Sequence, residues 1–419
     1  MLLSCKTVIK LNNEYENIIG HMNYAAYKLW NVCNYERRNY KELKLPVEYP
    51  DWYYQKKAHK DEIWYKQLPS QTAQEVCKIL DKSWKSFYAL EKSKGIANPK
   101  PPRYKQEKIA ITYMQNAIVH EKGEEKVRLS LPKRLMKYME EQYGISAKYL
   151  YFENKVFKMT DNIKQIKIYP PNKGKSEIIV IYEKEDIENK KDNGKYLSID
   201  LGVHNLMTCY SSKKGETFIV GRKYLSICRY YSKEIGRVQS QWAKTQSQKG
   251  VEYPKISKHI TKMYKKKANA INDYVHKVTR YIVTYCKERK INTVIIGDMT
   301  NIRKEKDYGN VTNQQIHALP YKKIYMQLGY KLEKEGIKFV MQNEAYTSST
   351  SPLKAEINKE NACKENRVKR GLYKDGKQEW NADCVGAYNI LRLYLKKQKK
   401  EIELNPMEIK IPEVIKVAV

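Results

Sequence analysis

Apolar and polar residues alternate through residues 3–11 with the two-residue period of a strand, and then the period lengthens. From about Asn13 to Leu43 the apolar set Ile18, Met22, Ala25, Ala26, Leu29 and Trp30 recurs at three- and four-residue spacing, which predicts an amphipathic helix. A second helix is predicted at LPSQTAQEVCKILDKSWKSFYAL, with Ser70 as its cap and Thr72, Val76, Ile79, Leu80, Trp84, Phe87 and Tyr88 on its inner face. Residues 16–99 therefore read as a helical domain inserted after one strand. GIANPKPPRYK, residues 95–105, carries three prolines that forbid a helix and hold the segment extended. Strand-like runs then dominate to about Tyr182 (AITYMQNAIVH, KVRLSLP, KQIKIYP, SEIIVIYEK), interrupted by one short helix, KRLMKYMEEQYG. Residues 1–15 and 100–185 are expected to share one small β-barrel or sheet. The polar run DIENKKDNGK, residues 186–195, reads as a linker.

Residues 196–419 read as one α/β domain. KYLSIDLGVHNLMTCYSS and GETFIVG predict strands joined by a turn at Ser212-Lys213-Lys214-Gly215. A long helical stretch from about Leu225 to Lys290, broken near GVEYP, is followed by the strand NTVIIGDM. Next come a helix around LPYKKIYMQLGYKLEKEG, the strand IKFVMQNE, a loop region and a last helix from about Cys384 to Lys399. Strands first, then strand, helix, strand, helix is the order of an RNase H-like fold.

Composition changes the picture by its charge. The 419 residues suffice for two or three domains, and 80 Lys and Arg against 47 Asp and Glu leave a net charge of +33. The basic residues are spread over the whole length, which suits a long contact with phosphate that weakens as salt rises. An AT-rich coding bias accounts for much of the excess of Lys over Arg and of 36 Tyr over 5 Phe. It does not account for the charge, because Asp, Asn and Glu codons tolerate AT as well. The eight cysteines form no Cys-x-x-Cys pair, the N-terminus is polar too soon for a signal peptide, and no apolar run reaches membrane-spanning length. A reduced, cytoplasmic protein without membrane contact, associated with a bacterial nucleoid, is expected.

Three acidic residues stand at the ends of well-separated apolar runs: Asp200, Glu344 and Asp383. Carboxylates on core-bound segments are costly unless compensated, and three together are compensated by divalent metal. In a chain this basic, that points to hydrolysis of nucleic-acid phosphodiesters by two metal ions. Asp200 is expected on the central first strand, beside Gly202, where the backbone can turn tightly. Asp383 is expected just before the last helix, whose Ala382, Gly386 and Ala387 permit close packing on the sheet. The third ligand is open between two residues. Side chains alternate along a strand, so if Gly297 faces the site then Asp298 faces away. Glu344 ends the following strand and is long enough to cross the space that Gly297 leaves. Glu344 is therefore favoured over Asp298.

Gln71 and Gln74 lie three residues apart on one helix, and Lys78 continues that face. Amides can read adenine edges and Lys can hold phosphate, although a solvated helix face reads the same way. Arg103, Tyr104 and Lys105 on the rigid PPRYK segment suit backbone contact with base stacking. Arg367, Lys369 and Arg370 precede the last acidic motif closely enough to steady a substrate strand. His204 and His317 lack partners at ligand spacing, and no phosphate-cradling glycine loop supports an ATPase.

Several segments together carry a family resemblance: SIDLGVHNLMT, GDMTNIRK, GNVTNQQIHALPYKKIYMQLGYKLEKEGIKFV, NEAYTSSTSP and NADCVGAYNILR, with MNYAAYKLWNVCNYERRNYKE, LPSQTAQEVCKILDKSWKSFY and NPKPPRYK nearer the N-terminus. The chain resembles, over nearly its full length, the TnpB family of transposon-encoded RNA-guided endonucleases related to type V CRISPR effectors. The resemblance implies a multidomain α/β protein. Its parts would be a RuvC nuclease domain over 196–419, a barrel-like wedge domain over 1–15 and 100–185, and a helical recognition domain over 16–99. It implies a guide RNA and a double-stranded DNA target as partners, with the wedge and helical domains reading a short motif beside the target. Two Mg²⁺ ions, or Mn²⁺ in their place, would be held by Asp200, Glu344 and Asp383, and cleavage would leave 5′-phosphate ends.

Two departures bear on this. Many members carry the second catalytic Glu directly before the Asp of the GDM-like segment, where this chain has Gly297; it resembles a branch with that Glu displaced to the position of Glu344. The zinc ribbon usual between YTS and the last motif is degenerate here, at about 347–380, with Ser351 where a Cys is expected and Cys363 alone, so no zinc is expected. A miniature CRISPR effector and a nuclease-inactive RNA-guided repressor are the alternatives. A DNA-joining transposase lacks support, since the family's carboxylates serve hydrolysis. Guide, flanking motif and the choice of monomer or homodimer are not readable.

Overall fold

The computed structural model describes residues 1–93, 95–300, 309–369 and 371–418. The chain divides into two compact units, Met1–Glu185 and Asp186–Val419.

The first unit opens with β1 (Leu2–Lys10) and α1 (Asn13–Arg38), followed by α2 (Trp52–Ala58), α3 (Ile63–Lys66) and α4 (Ser70–Ser93). Then come β2 (Ile111–Met114), β3 (Ile118–Val119), β4 (Lys126–Ser130), α5 (Lys133–Tyr143), β5 (Tyr149–Glu153), α6 (Lys155–Lys158), β6 (Ile163–Ile168) and β7 (Lys175–Glu183). The first strand joins the later ones: β1 pairs antiparallel with β7 from Leu2 opposite Glu183 to Lys10 opposite Lys175. The described strands of this unit form one sheet in the order β1-β7-β6-β2 and another in the order β3-β4-β5. The side chain of Asn23 anchors α1 to them, donating to the carbonyls of Ile109 at 2.7 Å and Ile168 at 3.3 Å.

The helices differ from expectation in three respects. The first ends at Arg38, not near Leu43, and Lys44 takes a left-handed φ of 46° in the turn ahead of Pro46. Ser70 is the first residue of α4, not its cap; the carbonyl of Pro69 accepts from Ala73. The inner face of α4 is also rotated, for Ile79 and Tyr88 are exposed while Ala73, Cys77 and Asp81 are buried. The cause is polar: Arg37 on α1, itself buried, draws Asp81 inward through a 2.9 Å ion pair. Gln55 on α2, absent from the sequence reading, accepts from Arg37 at 2.8 Å and donates to Glu36 at 2.7 Å.

The second unit contains β8 (Tyr196–Leu201), β9 (Met207–Ser211), β10 (Thr217–Val220), α7 (Lys223–Gln248), α8 (Lys258–Glu288) and β11 (Thr293–Gly297). It continues with α9 (Asn310–Ala318), α10 (Tyr321–Glu333), β12 (Lys338–Gln342), β13 (Leu372–Asp375), β14 (Gln378–Asn381), α11 (Ala382–Lys397) and β15 (Glu413–Ile415). Six strands form a mixed sheet in the order β12-β11-β8-β9-β10-β15. β8 is parallel to β11 and β11 to β12, whereas β9 runs antiparallel to both its neighbours. The first strand is thus central, as the sequence reading required, and β15 adds an edge that reading did not contain.

Alternation along β8 sets the two faces. Leu197, Ile199 and Leu201 pack with Val278, Ile282 and Leu328 of α8 and α10. Tyr196, of opposite parity, packs with Ile295, Val385, Tyr388 and Leu391 against α11. Asp200 and Gly297 share the parity of Tyr196 and Ile295, so both belong to the α11 face. The segment before α11 is tied to that helix by side chains: Asn389 on α11 donates to the carbonyls of Thr347 at 2.9 Å and Thr350 at 2.8 Å. No helix among the described residues is long and apolar enough to cross a membrane.

Candidate metal-dependent nuclease site

A cavity of about 730 Å³ is lined by Asp200, Glu344 and Asp383 together with Asn205, Arg222, Arg229, Thr347 and Arg367. Each carboxylate arrives from a different element. Asp200 is near the end of β8, Glu344 follows β12 by two residues, and Asp383 lies in the first turn of α11. The turn is capped by Asn381, whose side chain accepts from the backbone of Asp383 at 3.1 Å and of Cys384 at 3.2 Å. Its N-terminal dipole favours a negative charge there.

Two glycines make the meeting possible. A Cβ at Gly297 would stand 2.3 Å from Glu344 Oε2, so the Glu344 carboxylate occupies the volume that a side chain at 297 would fill. A Cβ at Gly386 would stand 2.6 Å from Asp200 Oδ2. The end of β11 is fixed by Tyr325, whose hydroxyl donates to the carbonyl of Gly297 at 2.7 Å and accepts from the backbone of Met299 at 2.8 Å. Asp298 is not among the residues lining the cavity; it accepts from the backbone of Thr300 at 2.9 Å.

The electrostatics follow from this crowding. Burial, with the neighbouring Glu344 and Asp383 charges adding to it, pushes the Asp200 carboxyl well above the usual carboxylate range, and Arg367 opposes the shift. Among the described residues, no three carboxylate, imidazole or thiolate groups already stand as a metal cage. Asp383 has both oxygens engaged, accepting from Arg367 at 2.8 Å on Oδ1 and from Asn205 at 2.8 Å on Oδ2. The residues nevertheless fit a hard divalent cation. The donors are all carboxylate oxygens, the glycines give two of them the room they occupy, and their mutual repulsion is what a cation relieves.

The other expected nucleic-acid contacts lie in the first unit or beside the cavity. Gln71, Gln74 and Lys78 share a half-buried face of α4, where Lys78 pairs with Glu75 at 3.2 Å and stands over the Trp52 ring at 5.6 Å. Arg103, Tyr104 and Lys105 are exposed on a segment strapped to α1: Asn31 exchanges two hydrogen bonds with the Lys105 backbone, and Arg38 stacks on Tyr104 at 5.1 Å. Arg367 lines the cavity as an ion-pair partner of Asp383, and Arg370 lies outside the described residues. Sequence reasoning missed Asn205, Arg222 and Tyr325. Asn205 sits inside the SIDLGVHNLMT segment, so its place in that motif was the available signal.

Residues 179–303 match the family model described as a probable transposase, OrfB of IS605, and residues 321–390 match the TNB domain of Cas12f1-like proteins. Both family matches fall where the TnpB resemblance was read, one on either side of residues 304–320 of the second unit. The fold is similar to that of the mini RNA-guided endonuclease CRISPR-Cas phi3, at 11% identity and a TM-score of 0.51, covering 94% of this chain and 92% of that one. A structure of a Cas12f1–sgRNA–target DNA complex aligns at 15% identity and a TM-score of 0.37, covering 93% of this chain and 98% of that one. No curated protein sequence matches the chain.

Proposed function

We propose that this protein is an RNA-guided DNA endonuclease whose RNase H-like, RuvC-type second unit hydrolyses DNA with divalent metal held by Asp200, Glu344 and Asp383. The observation that carries the reading is the Glu344 carboxylate in the space over Gly297, beside Asp200 and on the α11 face of the sheet. Bound there, Mg²⁺ or Mn²⁺ would lower the proton affinity of water and neutralise charge building on the phosphate and the leaving 3′ oxygen. The chain's own part is to hold three oxygen donors from three elements on one point and to bring Arg222, Arg229 and Arg367 to the same cavity, where they favour a polyanion. Gln71, Gln74 and Lys78, with Arg103, Tyr104 and Lys105, would engage the flanking duplex motif and the nucleic-acid backbone, and the wedge-like sheets and helical layer of the first unit would carry them. The guide would supply target sequence by base pairing, while the protein holds the duplex by its backbone.

The test is plasmid cleavage by the protein with its copurified RNA. Glu344→Ala should abolish Mg²⁺-dependent cutting while target binding survives, and Asp298→Ala should leave cutting in place. The reverse pattern would make Asp298 the third ligand. A second reading, a guide-directed repressor without cleavage, draws on Asp383 having both oxygens engaged. Binding with no cutting in Mg²⁺ or Mn²⁺ would select it. Whether the gene lies beside a transposon end or a repeat array separates the TnpB role from that of a miniature CRISPR effector.

A further inference from the structure

Asp383 is held by two donors of different kinds. Arg367 Nη2 brings a full positive charge to Oδ1 at 2.8 Å, and Asn205 Nδ2 brings a neutral amide to Oδ2 at 2.8 Å. Asn205 is itself fixed, since Arg222 Nε donates to its Oδ1 at 2.9 Å. Those partners dictate which way the amide faces. A guanidinium can only donate and an ionised carboxylate can only accept, so the Asn205 oxygen must point to Arg222 and its nitrogen to Asp383. The backbone supports the arrangement as well: a Cβ at Gly202 would stand 2.8 Å from the Asn205 carbonyl, so the loop after β8 can curl back only over a glycine. A row Arg222–Asn205–Asp383–Arg367 results, joining the end of the first strand to the start of the last helix.

The two donors respond oppositely to an arriving cation. The amide leaves the Asp383 charge intact and can keep its bond while a metal takes the other oxygen. The guanidinium occupies that other oxygen and opposes the metal's charge. Its side chain is 38% exposed, so the ion pair is a weak one that can open into solvent. We propose that Arg367 and the divalent cation compete for Asp383, and that Asn205, oriented by Arg222, is the positioning residue that holds Asp383 in place through the exchange. This rests on the nuclease reading above. Arg367 then acts as a counter-ion that keeps three crowded carboxylates tolerable before metal arrives, and once displaced it is left in the cavity as a free cation for phosphate.

The experiment is Mn²⁺ titration of the full chain with its copurified RNA, reading free Mn²⁺ by electron paramagnetic resonance; cleavage plays no part in the readout. Sites lost in Asp200→Asn define the cluster. Asn205→Ala should weaken those sites by about 10- to 100-fold, as expected for a partner that orients a ligand. Arg222→Ala touches no carboxylate and should shift affinity in the same direction by less. Arg367→Ala should tighten binding, by roughly two- to fivefold for the loss of a partly exposed competing ion pair. Arg367→Lys should return it toward wild type. If Asp200-dependent binding is present and Arg367→Ala weakens it or leaves it unchanged, or if Asn205→Ala matches wild type, the competition is overturned and the nuclease reading stands. If no Asp200-dependent Mn²⁺ binding exists, both fall.

Discussion

Gly297 decides more about this site than any of the charged residues, because its missing side chain is the seat of the Glu344 carboxylate. The nearest alternative, Ala, would bring Cβ to 2.3 Å from Glu344 Oε2 and 3.2 Å from Ile390 Cδ1, so the Glu344 carboxylate must shift to make room. Gly297→Ala should therefore lower metal-dependent cleavage by on the order of 10²-fold, the cost typical of a catalytic group displaced by about an ångström. Thermal stability should change little by comparison. Single-turnover cleavage beside a melting curve would separate the two, and a variant that cuts at the wild-type rate would show that Glu344 does not work from where it stands. That pairing of a glycine with a remote glutamate was legible in part, since strand alternation puts Gly297 and Asp298 on opposite faces and leaves room for Glu344 if the glycine is the one facing the site. The contacts of Asp383 were not. One joins residues 178 positions apart and the other residues 16 apart, both through loops, and a loop has no period from which a facing side can be read.

At the scale of the elements, the helical layer of the first unit shows where pattern reading stops. An apolar stripe predicts which face of α4 turns inward, but the face that does so carries Asp81, because Arg37 is already buried opposite it. Burial pushes the Asp81 carboxyl up, yet the ion pairs with Lys85 and Arg37 outweigh it and hold the group below the usual carboxylate range. A carboxyl depressed in the folded state contributes stability that is present above the ordinary carboxylate pKa and is lost as pH falls through its folded value. The melting temperature should therefore fall as pH drops below the ordinary carboxylate range. Asp81→Asn should flatten that dependence while lowering stability at neutral pH by about 3–5 kcal/mol, because Arg37 would remain buried without its counter-ion. Thermal melts of both proteins across acid pH check this, and an unchanged slope would assign the acid sensitivity to other groups. The first helix and the long pair α7 and α8 were legible because each has a continuous stripe. The helices α2 and α3 were too short to show one.

On the scale of the whole molecule, charge and topology are separate statements. The charge of +33 was plain from composition and bears on what the protein binds, whereas the sheet order rests on pairings between distant segments. The strand order of the second unit could be anticipated because its first five strands follow a common succession. β15 could not, for three residues following Pro412 carry no usable alternation. It pairs in parallel with β10, Phe218 opposite Glu413 and Val220 opposite Ile415, and the Thr217 hydroxyl donates to the carbonyl of Lys410 at 2.6 Å. Removing residues 411–418 should leave a hydrophobic edge at Thr217–Val220 and raise light scattering on mild heating, with secondary structure otherwise kept. A truncated protein that stays as monodisperse as the intact one would show that the edge needs no cover.

The same pairing sets a schedule for synthesis. β10 is complete nearly two hundred residues before its outer neighbour exists, as the 193-residue separation of Thr217 and Lys410 records. At ordinary ribosomal speeds that is an interval of roughly 10–40 s in which a finished β-strand waits with one side unpaired. Slow translation or crowded expression lengthens the wait or multiplies the neighbours. The yield of active protein should accordingly depend on translation rate and chaperone supply before it depends on the thermodynamic stability of the finished fold.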